Sequence, residues 1–201
     1  MWTIKYGGNS YVCSYIRLTR QLDGLNYAIV KVNEQSIPGD ASVELWKGSS
    51  REMVGYIKRV VDPADDVTKY MITEKAVELR DYICDPDGSL EVEYENTNVI
   101  DVMSGSGGLL SFLPRAASWT FDDQGSGYDN YAVANMSLYC ANVYDAVFKL
   151  LRVHCNAKVW FDSVNKKIIC NDSRTNHGTI SYITKTPDRT SAGKNIDKVI
   201  V

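Results

Sequence analysis

From Trp2 to Gly88 the chain is a succession of short alternating segments, each closed by a turn signal, and this punctuation leaves no room for a long helix. "WTIKY" (Trp2 to Tyr6) runs into Gly7-Gly8-Asn9-Ser10. "YVCSYIRLTRQ" then sets Val12, Ser14, Ile16 and Leu18 against Tyr11, Cys13, Tyr15 and Arg17, and ends at Asp23-Gly24. "NYAIVKVN", "SVELWKG" and "MVGYIKRVVD" follow as strands, with the Pro-Gly loop "SIPGD" before the second and a bulge or sharp bend expected at Gly55. After the loop "ADDVTK", the segment "YMITEKAVELRDYIC" opens with strand alternation at Tyr70, Ile72 and Glu74 and reads onward as strand or short helix. Asp85-Pro86-Asp87-Gly88 is a turn. Strands of this length at this spacing predict a barrel or a sandwich.

The pattern then changes. "ENTNVIDVMSG" offers Asn96 or Thr97 as an N-cap, Val99, Ile100 and Met103 as an apolar stripe and Gly105 as the stop, which predicts a short helix. The stretch from Gly105 to Ser137 clusters Gly, Ser and Asp around an apolar middle and predicts a long surface excursion. From the N-cap Asn142, a second helix places Val143, Ala146, Val147, Leu150, Leu151 and His154 on one face, with Asp145, Lys149 and Arg152 off it. "KVWFD" and "KKIIC", joined by Ser163-Val164-Asn165, predict a hairpin packed on that helix. "TISYITK" and the terminal "IDKVIV" add strands. The expected fold class is α+β and β-rich, with a small barrel over 1–92. A mixed unit with one amphipathic helix on a hairpin-containing sheet follows over 93–185, then a linker and terminal strand over 186–201.

Bulk chemistry narrows the function. A formal net charge of −3 argues against a protein built to neutralise phosphates. No apolar run approaches the roughly 20 residues of a membrane span, and no leader precedes the first strand, so a soluble, non-secreted protein is expected. Five widely spaced cysteines without a CxxC predict reduced, mostly buried thiols and neither a disulfide framework nor a zinc site.

Several residue groups carry chemistry in principle. His154-Cys155 is a candidate thiol centre, but neighbours on a helix point about 100° apart and cannot form a nucleophile-base pair unaided. The loop carboxylates Asp62, Asp65, Asp66, Asp85, Asp87, Asp122 and Asp123 could supply an acid and a base for hydrolysis, yet no spacing pairs them. In "DPDGSLEVE" the glycine falls at the wrong position for an EF-hand. "GSGG" follows a helix and lacks the partners of a phosphate loop. No catalytic residue, metal site or cofactor is assigned. Trp119, Phe121, Tyr128 and Tyr131 form the candidate interaction surface, aromatics set among Asp and Gly that suit a protein contact or a sugar.

The order of segments resembles a known family. A small barrel ending near "DGSLEVEYENTNVIDVM", the helix and strand "VYDAVFKLLRVHCNAKVWFD", the hairpin "VWFDSVNKKIIC" and then "SAGKNIDKVIV" are similar to the N-terminal region of tail hub or baseplate hub proteins of tailed phages and prophages. The resemblance runs from Asn96 to Val201, and reaches earlier residues only through their β character. It implies a non-enzymatic virion component that joins the tail tube to the tip, assembles as a trimer and contacts other tail or baseplate proteins. It implies a location in the virion tail, or in the host cytoplasm before assembly. Hubs usually continue into a second barrel after the Gly-Lys-Asn, so this chain is expected to be either a shortened relative or a fragment. Two alternatives stand beside it. One is a carbohydrate- or host-surface adhesion module using Trp119, Tyr128 and Tyr131 with Asp122 and Asp129, and the other is a cell-wall polymer hydrolase using Asp122 or Asp123.

Overall fold

The computed structural model describes residues 1–33, 37–61 and 67–172. Strands β1 (Trp2–Tyr6), β2 (Asn9–Thr19), β3 (Tyr27–Asn33), β4 (Ser42–Lys47), β5 (Ser50–Val61) and β6 (Val67–Glu74) close into an antiparallel barrel in the order β1-β2-β3-β6-β5-β4. The inward residues follow the two-residue period of a strand: Ala28, Val30 and Val32 on β3, Val43 and Leu45 on β4, Tyr70 and Ile72 on β6, all buried. The Tyr70 phenol is completely buried and accepts a hydrogen bond from the Ile37 N–H at 3.0 Å, so the largest core side chain keeps a polar partner. Closure leaves the barrel without a free strand edge.

Gly55 does not bulge the sheet. The register shifts lie at Cys13/Tyr15 and Leu45/Trp46, whereas a Cβ on Gly55 would sit 2.3 Å from the Thr73 carbonyl oxygen. Glycine is needed there because β5 and β6 approach too closely for any side chain.

After Glu74 the chain enters a second core. A 3₁₀ segment, Lys75–Asp81, buries Ala76 and Leu79 and resolves the ambiguity after the sixth strand. Strand β7 (Glu91–Asn98) pairs antiparallel with β9 (Ala132–Tyr139) as a two-stranded ribbon. Helix α1 (Val99–Ser104) buries Val99, Val102 and Met103, and Gly105 caps it. Its N-cap is Asn98, the last residue of β7, because the helix starts directly at Val99, one or two residues later than an Asn96 or Thr97 cap would place it. Helix α2 (Val143–Phe148) starts where the Asn142 side chain accepts the Asp145 N–H at 2.8 Å, and continues as a π-helical turn, Lys149–His154. The widened turn is visible where the Cys155 N–H reaches the Leu150 carbonyl at 3.2 Å, five residues back. Val143, Ala146, Val147, Leu150 and Leu151 are buried, as the helical period predicts. The hairpin β10 (Ala157–Asp162) and β11 (Lys167–Asp172) packs beneath.

The 105–137 stretch is not a surface excursion. It supplies β8 (Thr120–Asp122), which pairs parallel with β11, and most of β9, and it buries Leu109, Ala117 and Trp119 in the second core. The architecture is thus α+β and β-rich, a closed barrel followed by helices on small sheets. The strands expected at "TISYITK" and "IDKVIV", the segment 186–201, and Asp62, Asp65 and Asp66 lie outside the described residues.

Candidate interaction surface

The barrel meets the second core along a polar seam. Asp23, on the turn between β2 and β3 with φ 63°, donates its N–H to the Val159 carbonyl at 2.8 Å and accepts the Val159 N–H at 3.0 Å. Its other carboxylate oxygen pairs with Arg152. Glu74 is buried at the end of β6 and accepts the Asn26 backbone and side-chain N–H groups at 3.1 and 3.0 Å. Ser163 from the hairpin turn also bonds Glu74, and its Oγ accepts the Val54 N–H at 3.2 Å. Burial holds the Glu74 carboxyl above the usual carboxylate range, against the opposing pull of these donors. Glu78 completes the seam, accepting the Tyr56 hydroxyl at 2.9 Å from the barrel and the Trp119 indole N–H at 2.7 Å from the second unit.

That last bond fixes one of the candidate aromatics. Trp119 is only 5% exposed, packed edge-on to Phe161 at a ring distance of 6.2 Å. An indole can be buried here because Glu78 satisfies its one donor. Phe121 and Tyr128 are half-buried against the same core. Tyr131 faces solvent, 49% exposed. The structure therefore divides the group, with Trp119 inside and Tyr131 outside. Asp129, offered beside them for sugar binding, is a residue whose side chain lies outside the described structure.

The loop carboxylates make turns and ion pairs. Asp122 takes Lys167 at 2.9 Å and the Gln124 N–H at 3.0 Å, and Lys167 holds its carboxyl below the usual range. Asp123 accepts the Gly125 and Gly127 N–H groups at 3.0 and 2.9 Å. Asp85 accepts the Gly88 and Leu90 N–H groups at 2.7 and 3.2 Å, the bonding of a turn. Cys155 sits at the end of the π turn, buried, its thiol pushed up to about 11 by desolvation, which is the environment of an inert packing thiol. Among the described residues no group of three or more His, Cys, Asp or Glu side chains is placed to hold a metal ion, and no helix is long and apolar enough to cross a membrane.

Two surface features escaped the sequence reading. A groove of about 520 Å³ lies between the barrel and the hairpin turn, lined by Lys5, Arg51, Lys75 and Lys166 with Glu44. On the ribbon, Glu91, Glu93 and Glu95 alternate as exposed residues of β7, opposite Tyr139, Ser137 and Asn135. Both were written in the sequence as charges, but only pairing and docking gather them into faces.

The fold is shared with solved structures of three phage or prophage tail proteins. Solved structures that share it include the 43 kDa tail protein of prophage MuSo2 from Shewanella oneidensis, with a TM-score of 0.62 and 12% identity over 85% of this chain and 53% of that one. The tail protein from Neisseria meningitidis MC58 aligns with a TM-score of 0.62 and 11% identity, over 84% of this chain and 49% of its own length. The prophage tail protein gp18 from Listeria monocytogenes EGD-e aligns with a TM-score of 0.55 and 11% identity, over 85% of this chain and 50% of its own. The chain spans about half the length of each. No protein family and no curated protein matches the sequence.

Proposed function

We propose that the chain is a structural, non-catalytic component of a phage tail or tail-like injection machine, acting as a hub that joins the tail tube to the tip. The observation that carries this reading is the barrel followed by the helix-hairpin unit, shared with three tail proteins over most of the chain at an identity too low for sequence alone to align. The turn and packing roles of Asp122, Asp123 and Cys155 are in keeping with a protein that works by contact. In this role its partners are other tail or baseplate proteins and further copies of itself, a trimer being the form the resemblance implies. Tyr131 is the contact residue of the aromatic group, and the location is the virion tail, with the host cytoplasm before assembly.

The test is removal. Particles produced without this chain should stop at an incomplete tip or tube, and antibody labelling should place it at one end of intact tails. Complete, infectious tails lacking the chain would overturn the reading.

A further inference from the structure

The groove between barrel and hairpin is a cationic site without enough acid of its own. Lys5, Arg51, Lys75 and Lys166 face it, against the single carboxylate Glu44. Arg51 and Glu44 pair at 2.8 Å, which leaves three cations uncompensated. Lys5 lies over the Trp46 ring at 3.6 Å, near the Glu44 that Arg51 already pairs, and Lys166 donates to the Ala116 and Ala117 carbonyls at 3.2 and 2.7 Å. Lys75 has no acidic partner among the described residues. Gly7 and Gly8 form one wall, with open space where side chains would stand, so a ligand can approach the backbone there.

The complement is on the same chain. Glu91, Glu93 and Glu95 stand about 7 Å apart along one face of β7. β9 itself carries no cation opposite them and none forms an ion pair with them among the described residues; the nearest approach is Lys149, whose Nζ donates to the carbonyl of Ser137, across from Glu93, at 2.6 Å. Three carboxylates in a row on one exposed strand face concentrate negative potential, which salt screens and a cationic partner would neutralise. Leu90 and Tyr139, 37% and 73% exposed, flank the ladder with apolar surface, and half-buried Tyr6, Val54 and Val164 do the same inside the groove. Apolar contact ringed by complementary charge is the usual anatomy of a protein interface.

We infer that the cationic groove receives the Glu91-Glu93-Glu95 face of a second copy of this chain. The inference rests on the reading of the chain as a tail assembly protein and names the surfaces by which copies join. The two faces differ, so the contact is head-to-tail: each copy offers a groove to one neighbour and a ladder to another, and copies so joined close into a ring or propagate.

Sedimentation of the purified chain at low and high salt tests it, with unchanged circular dichroism confirming that each variant is folded. The wild type should self-associate in about 50 mM NaCl and weaken several-fold in about 500 mM. Lys75→Glu and Glu93→Lys should each weaken association about tenfold, because an attractive pair becomes a repulsive one. Mixed together, those variants should regain association, since the Glu93→Lys groove meets the Lys75→Glu ladder with the original charges and the Lys75→Glu groove meets the Glu93→Lys ladder with the same pair exchanged. A synthetic peptide of residues 89–96 should bind the wild type and not Lys75→Glu. If the wild type associates and neither substitution weakens it, copies meet elsewhere and the proposal fails while the tail reading stands. A wild type that stays monomeric at both salt concentrations also overturns it, and tail incorporation of labelled chain then judges the tail reading separately. Binding of inorganic polyphosphate, lost in Lys75→Glu, without binding of the peptide would reassign the groove to a phosphate polyanion and sink the proposal.

Discussion

The barrel and the second unit bury similar side chains but close their backbones in different ways. Each barrel strand is bonded on both sides within one sheet, and β1 returns to β4 to complete it. The second unit has two small open sheets, whose pairings join Glu91–Asn98 to Ala132–Tyr139 and Thr120–Asp122 to the hairpin. Its stability therefore depends on one dense aromatic centre, in which Tyr144 and Phe161 stack at 5.5 Å and Phe148 and Trp119 lie within 6.2 Å of Phe161. A closed sheet spreads its constraint around a ring, whereas open sheets concentrate it where helix and strands cross.

The four tryptophans read the two regions separately, Trp2 and Trp46 on the barrel, Trp119 and Trp160 in the second unit. The largest effect is expected from Phe161→Ala, a loss of about 4 kcal/mol in urea unfolding. Its transition should appear first in a variant that keeps only Trp119. Leu45→Ala should cost about 3 kcal/mol and reverse the order, with the Trp46 signal leading. Coincident transitions in both variants would show that the two regions unfold as one.

Gly55→Ala is expected to cost about 2 kcal/mol, because the added carbon meets the Thr73 carbonyl and the strands must part. The loss should fall on the barrel signal alone. Glu78→Ala strips the Trp119 indole and the Tyr56 hydroxyl of their acceptor, and a loss of about 1.5 kcal/mol is expected. It should also separate the two transitions, since this carboxylate is bonded to both regions.

The smallest effect is one of sign. Glu74 has a folded pKa raised above 4.5 by burial. Its favourable contribution is full below the unfolded value and is lost as pH rises through the folded one. The Tm difference between wild type and Glu74→Gln should therefore move in favour of wild type as pH falls from 7 toward 4.5. Asp122 and Glu44 have lowered pKa values and act oppositely, losing their contribution as pH falls further, so the comparison with Glu74→Gln is what isolates the seam. A difference that grows with pH would mean the carboxylate is stabilised in its charged form.

The same contrast explains what could be read from sequence. Barrel strands such as Ala28-Ile29-Val30-Lys31-Val32 announce themselves locally, and their turns carry Gly or Asp-Gly. That β3 pairs with β6 instead of β4 is not written in any strand. Helix α2 was legible from Asn142 to Leu151, because a cap and a 3.6-residue period are local facts. Strand β7 shows its alternation in Glu91-Val92-Glu93-Tyr94, but the neighbouring turn signal in "DPDGSLEVE" places those residues at the end of the barrel and not in a strand of a second unit. Strand β8 is three residues long, too short for any period, and it exists because β11 offers a partner. The Asp and Gly neighbours of Trp119 point to surface, and the acceptor that allows its burial lies far off in Lys75–Asp81. The cationic groove is illegible for the same reason: Lys5 and Lys166 become neighbours only when the hairpin docks on the barrel.

Asp23 occupies a barrel turn, yet both its backbone N–H and its carboxylate are spent on Val159, on the outer edge of the sheet β10-β11-β8. An outer strand with open backbone groups is a template for unwanted pairing between chains. The barrel thus acts as a built-in guard against aggregation, and a second unit expressed without it would expose a sticky edge in place of a protected one.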